Sequence, residues 1–160
     1  MNRDDHDEPA NHDGHDGHDE SDGHPERPFS MRLPSRLSMD EEAVIAKVID
    51  CAMHVHRSLG PGFLESIYTR AMCIALAKKS VPFEYQKTVD IYYDGHPIAR
   101  HRVDLVVGRL VIVELKAIQR FQDIHYAQVI SYLKATGLRA GLLINFHVPL
   151  LHRGLKRIVR

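Results

Sequence analysis

The six residues Val111-Ile112-Val113-Glu114-Leu115-Lys116 constrain the fold more than any other stretch of the chain. Their β-branched, apolar character predicts a buried strand. Side chains at i and i+2 of a strand share a face, so Glu114 and Lys116 stand side by side while Val111, Val113 and Leu115 occupy the other face. A carboxylate and an ammonium on a central strand are costly unless they are paired, hydrated or bound to a cation. One reading of the pair is a structural ion pair and nothing more. The preceding apolar run, Val103 to Val107, adds a second carboxylate, Asp104, and ends in the turn signal Gly108-Arg109. In an antiparallel hairpin the numbers of facing residues have a constant sum. Asp104 shares a face with Glu114 only if that sum is even. A two-residue turn would send the carboxylates to opposite faces, so the spacing predicts an odd loop, Gly108-Arg109-Leu110, or a bulge.

Further stretches surround this core in a definite order. Gly62-Phe63-Leu64-Glu65-Ser66-Ile67-Tyr68 reads G-x-x-E-x-x-Y, and Val55-His56-Arg57-Ser58-Leu59-Gly60-Pro61 precedes it. Gln128-Val129-Ile130-Ser131-Tyr132-Leu133, Gly141-Leu142-Leu143-Ile144-Asn145-Phe146 and Lys156-Arg157-Ile158-Val159 follow the Glu-x-Lys strand. With Asp104, nine residues, then Glu114-Leu115-Lys116, the set resembles the PD-(D/E)XK nuclease superfamily, and within it the small bacterial GxxExxY proteins, over about residues 40–160. One departure is Val103 where the superfamily pattern has proline before the aspartate. The proline is not a reacting group.

The resemblance implies an α/β fold with a restriction-endonuclease-like core, ααβββαβ, in which a four-stranded mixed sheet is flanked by helices. It implies a metal-dependent nuclease that hydrolyses phosphodiester bonds of nucleic acid, DNA or RNA, with Mg²⁺ or Mn²⁺ as cofactor. The alternative is a catalytically silent module that has kept the fold to bind nucleic acid or another partner. Against it, Asp104, Glu114 and Lys116 are all present. Carried over position by position, the resemblance makes Asp104 and Glu114 metal ligands, with the backbone carbonyl of Leu115 as a third. Glu65 would hold a metal-bound water or a second ion. Lys116 would orient or deprotonate the attacking water, or stabilise the charge at phosphorus. Gln128 would make a polar contact to the site, to Lys116 or to the scissile phosphate.

The residues themselves leave blander roles open. Glu65 lies in the first turn of its helix, where the dipole favours a carboxylate. Tyr68, one turn on, either orients Glu65 or packs. His56 reads as a packed or capping side chain in preference to a ligand. Arg100, His101, Arg102 and Lys87 are candidates for phosphate contacts, although charges at strand ends are usually only solvated.

The zero net charge of the 160 residues hides an asymmetry. Residues 1–26 hold ten acids and one base, and removing these from 21 of each leaves 11 acids and 20 bases, a net +9 over residues 27–160. That balance suits a polyanionic partner, or simple solubility. Residues 1–37 include a His-Asp-Gly repeat with almost nothing to bury and are predicted to be a disordered tail. Its histidines (His6, His12, His15, His18, His24) have the chemistry to bind zinc or nickel, but without a fold they lack fixed geometry. Residues 38–160 are expected to form one domain. Cys51 and Cys73 lie in helical, largely apolar patterns and read as buried thiols of a reducing compartment, which points to a cytoplasmic protein. No apolar run approaches the ~20 residues of a membrane span, and the acidic N-terminus does not read as a secretory signal.

Local patterns predict the elements in order. Ser38-Met39-Asp40-Glu41 is a capping box that opens a helix to Leu59, with Val44, Ile45, Val48, Ile49, Ala52 and Val55 as its buried stripe. A second helix is expected from Gly62 to Lys79. Strands are expected at Phe83–Tyr93, Pro97–Val107, Leu110–Ile118 and Arg139–Phe146, with a short edge strand at Leu155–Val159. A helix over Ile124–Ala135 joins the third strand to the fourth as a βαβ crossover.

Overall fold

The computed structural model describes residues 37–160. The expectations for a disordered, metal-capturing tail lie outside the described residues, except that Leu37 is buried in the core beside α1. Helix α1 spans Met39–Leu59 and starts as its capping box requires. The Ser38 amide donates to Glu41 Oε2 at 2.6 Å and the Glu41 amide donates to Ser38 Oγ at 3.2 Å. Helix α2, Glu65–Lys78, begins three residues later than its pattern suggests, so that Glu65 is its first residue.

Strands β1 (Phe83–Tyr93), β2 (His96–Val107) and β3 (Val111–Lys116) form an antiparallel meander. Helix α3 (Asp123–Thr136) then carries the chain to β4 (Ala140–Asn145), which pairs in parallel with β3. A short 3-10 turn, Leu151–Gly154, was not foreseen, and β5 (Leu155–Val159) closes the sheet antiparallel to β4. The sheet is therefore five-stranded, in the order β1-β2-β3-β4-β5. The expected four-stranded core gains the C-terminal edge strand, because β5 pairs along nearly the whole of β4, from Ala140↔Val159 to Ile144↔Leu155.

β3 is the central strand, with an antiparallel neighbour on one side and a parallel one on the other. Both of its faces are covered. One face packs Val111, Val113 and Leu115 with Leu105, Val107, Leu142 and Ile144 against α1 and α2. The other packs Ile112 with Val103, Val106 and Leu143 against Val129, Tyr132 and Leu133 of α3. Helix α3 approaches closely because Gly141 has no side chain: a Cβ there would stand 2.6 Å from Val129 Cγ1. No helix among the described residues is long and apolar enough to cross a membrane.

Candidate active site

The β2–β3 connection fixes the relation of the carboxylates. Leu105 faces Val113, Val106 faces Ile112 and Val107 faces Val111, so the loop is the three residues Gly108-Arg109-Leu110, closed by the Leu110 amide on the Val107 carbonyl at 3.0 Å. One step further along the same register sets Asp104 opposite Glu114. The pairing does not run on that far. Asp104 instead turns its carboxylate into the gap, and Oδ2 accepts the Leu115 amide at 2.8 Å. The neighbouring strand is irregular opposite it: the β1–β2 register is the same at Tyr85↔Leu105 and Lys87↔Val103, but Gln86, between them and opposite Asp104, has φ 48 and no pairing partner in the ladder. Val103 and Val106 consequently enter the same hydrophobic cluster, a spacing that a regular strand forbids.

Glu114 is 3% exposed. Lys116 Nζ donates to its Oε1 at 2.6 Å, while Oε2 is a buried side-chain oxygen without a partner among the described residues. Burial, followed by the charge of Asp104, pushes the Glu114 carboxyl up to about 7 against the pull of Lys116. Burial also raises Asp104, against the Leu115 amide and the Lys116 charge. Glu65 enters from the helix layer on the opposite face. Its carboxyl is raised by burial, lowered by Lys116 and raised again by Asp104. For Lys116, burial favours the neutral amine, but the Glu114 hydrogen bond and the charges of Glu114, Glu65 and Asp104 outweigh it and raise its pKa. Four of the five side chains picked from sequence thus influence one another's charge.

The fifth, Gln128, does not contact Lys116. Its Nε2 donates to Tyr132 Oη at 2.7 Å, and Tyr132 Oη lies 3.5 Å from His101 Nδ1. The expected link is indirect: Tyr132 is 3% exposed and packs in the cluster that holds Ile112, the β3 residue on the same face as Glu114. The sequence pattern does not single out Tyr132 as a partner of the cluster, and it offers His101 as a phosphate contact, not as a neighbour of Tyr132. It also missed Asn145, whose lone polar amide at the end of an apolar strand was the available signal. Asn145 faces Lys116 across the β3–β4 pair and clips the end of β3. Its Oδ1 accepts the Ile118 and His147 amides at 3.1 and 3.0 Å, and its Nδ2 donates to the Ile118 carbonyl at 2.7 Å.

Tyr68 proves to be a clasp. It is fully buried, donates to the Gly60 carbonyl at 2.7 Å, accepts the Phe63 amide at 3.2 Å and stacks on Phe146 with centroids 4.5 Å apart. It orients Glu65 only by fixing the loop from which α2 starts. Gly62, with φ 114, supplies the turn in that loop. His56 packs as expected, with Nε2 2.7 Å from the Val148 carbonyl. Among the strand-end charges, a half-buried Lys87 pairs with Glu84, and Arg100 pairs with Asp90 at the surface.

The carboxylates were expected to lie close enough to share a cation. Among the described residues, no group of three or more His, Cys, Asp or Glu side chains forms a ready-made cage. One oxygen of Asp104 is held by a backbone amide and one of Glu114 by Lys116. A larger hollow of about 660 Å³, lined by Glu84, Lys87, Val106 and Arg109 among others, lies at the β2–β3 loop end of β2.

A family model described as the PD-(D/E)XK nuclease superfamily matches residues 42–158. The chain belongs to that superfamily. No curated protein and no solved structure matches it. The mixed α/β architecture, with helices on both sides of the sheet, is consistent with the restriction-endonuclease-like fold. Membership implies a nuclease-like function with nucleic acid as substrate, in a superfamily whose nucleases typically depend on a divalent metal.

Proposed function

We propose that the chain is a Mg²⁺- or Mn²⁺-dependent nuclease of the GxxExxY type, with Asp104, Glu114, Lys116, Glu65 and Gln128 as its working residues. The observation that carries this reading is Glu114: buried, bonded to Lys116 through one oxygen, and left with an unpartnered oxygen beside Asp104. A buried carboxyl oxygen without a partner has room to accept positive charge in place of its proton, so the donor set fits a hard divalent cation. Asp104, Glu114 and the Leu115 carbonyl would hold it, with Glu65 binding through water or a second ion. When bound, such a cation supplies Lewis acidity and neutralises charge on the phosphodiester.

The protein's own groups supply the rest. The site favours the charged form of Lys116, so it serves as a fixed cation and proton donor toward the phosphoryl oxygens, where negative charge develops in the transition state. Its bond to Glu114 holds it in place before substrate arrives. Gln128 acts as a positioning residue through Tyr132. The test is a panel of single- and double-stranded DNA and RNA with Mg²⁺ and Mn²⁺, run beside Asp104→Asn. Cleavage by the native chain and none by the variant supports the reading; equal cleavage by both, or none by either, rejects it.

A further inference from the structure

A second surface adjoins the cluster. Ile91, His101, Ile124, Ala127, Gln128, Ser131 and Tyr132 enclose a groove of about 460 Å³ between the β1–β2 ribbon and α3. That volume lies within the ~300–1,000 Å³ typical of small-molecule sites. Its walls are aliphatic on one side and aromatic on the other, where the His101 and Tyr132 rings stand 5.9 Å apart at 56°. Its polar groups are few. Gln128 spends its Nε2 on Tyr132, and among the described residues neither its Oε1 nor the Ser131 hydroxyl has a protein partner.

We propose that this groove seats one unstacked nucleobase of a single-stranded nucleic acid, next to the phosphodiester held at the cluster. The proposal rests on the nuclease reading above. Continuity with the site argues for this occupant: Tyr132 lines the groove, its hydroxyl accepts the Gln128 amide, and its ring packs in one cluster with Val103 and Ile112, which flank Asp104 and Glu114 on their strands. Charge agrees, because residues 27–160 carry a net +9 and a polyanion is drawn to them. The chemistry agrees as well. Aromatic and aliphatic walls accept the face of any base, and a free carbonyl and a hydroxyl offer an acceptor and a donor to its edge. A base within a duplex is stacked on both faces and cannot enter without being extruded. The groove therefore selects single strands, flaps or frayed ends.

The test uses the full chain in EDTA with a single-stranded oligonucleotide carrying 2-aminopurine, its duplex, and the same strand with an abasic site in place of the probe base. Ala127→Phe fills the groove from an exposed position on α3, and His101→Ala removes one wall. The expected result is a change in 2-aminopurine emission on binding of the single strand, with affinity about tenfold weaker in both variants and no variant effect on the abasic strand. Binding by Ala127→Phe equal to the native chain on every ligand, or equal losses for abasic and intact strands, overturns the proposal. Cleavage with Mn²⁺ separates the two readings. If the native chain cleaves and Ala127→Phe cleaves identically, the nuclease stands and the base seat falls. If nothing is cleaved but the variants still lose the emission change, the seat stands and the nuclease falls.

Discussion

The two faces of β3 put one backbone to opposite uses. Toward α1 and α2 the strand presents Val111, Val113 and Leu115, all fully buried among aliphatic neighbours. Toward α3 it begins in the same way with Ile112 and then changes to Glu114 and Lys116. Burial is nearly as complete on the second face, yet there it raises carboxyl pKa values where on the first it excludes water from methyl groups. The same desolvation that stabilises one face therefore poises the other for chemistry. Adjacent residues on β2 repeat the division: Leu105 belongs to the aliphatic face, while Asp104 turns to the Leu115 amide.

If the division is real, changes on one face should cost activity and changes on the other stability. The largest effect is expected from Asp104→Asn. It should abolish Mn²⁺ binding and cleavage together, because it removes one charge from a site with few of them; calorimetry and a single-turnover assay check both. A variant that binds Mn²⁺ normally would exclude Asp104 from the ligand set. Lys116→Ala should keep the metal and slow cleavage by roughly 10²–10³-fold, as for the loss of one electrostatic stabiliser. Loss of metal as complete as in Asp104→Asn would make Lys116 a structural partner of Glu114.

Leu105→Ala probes the other face one residue away. It should cost about 2–5 kcal/mol of stability, read from denaturant midpoints, while leaving the cleavage rate of the folded protein nearly intact. A smaller comparison uses pH. Glu114 keeps its proton in the folded chain up to about 7, whereas its ordinary value is 4.5. The folded state therefore binds more protons between those values, and stability falls as pH rises through the window, by on the order of 3 kcal/mol from this group. Glu114→Gln should flatten the dependence between about pH 5 and about pH 8; an unchanged slope would show that the carboxyl is not raised. The smallest effect is expected from removing residues 1–36, which should leave the melting temperature and cleavage nearly unchanged. Extending the deletion through Leu37 removes a buried side chain and should lower the melting temperature measurably.

What sequence made legible was local. The capping box of α1, the odd loop between β2 and β3 and the Glu114–Lys116 pair follow from spacing and alternation. What it hid depends on partners far along the chain. Gln128 could be placed on a helix facing the site, but its attachment to Tyr132, and that of Tyr132 to His101, is set by how α3 lies on the sheet. The break in the ladder at Asp104 lies opposite Gln86 on the neighbouring strand, which no pattern within β2 reveals. β5 was visible as a strand, but its place in the sheet depended on the 3-10 turn that returns the chain to β4.

The Tyr68 clasp bears on how such a chain changes over time. Gly62, Glu65 and Tyr68 form a single sequence signature, yet they answer to different pressures. Tyr68 and Gly62 are required for the chain to turn from α1 into α2, whatever the site does. Glu65 sits on the surface that this turn presents to the carboxylates. A descendant that lost its chemistry would still need the glycine and the tyrosine to fold, and only the glutamate would be free to drift. Under the proposed function, two of the three positions therefore record how the chain turns, and Glu65, with Asp104, Glu114 and Lys116, would record whether the chemistry is kept.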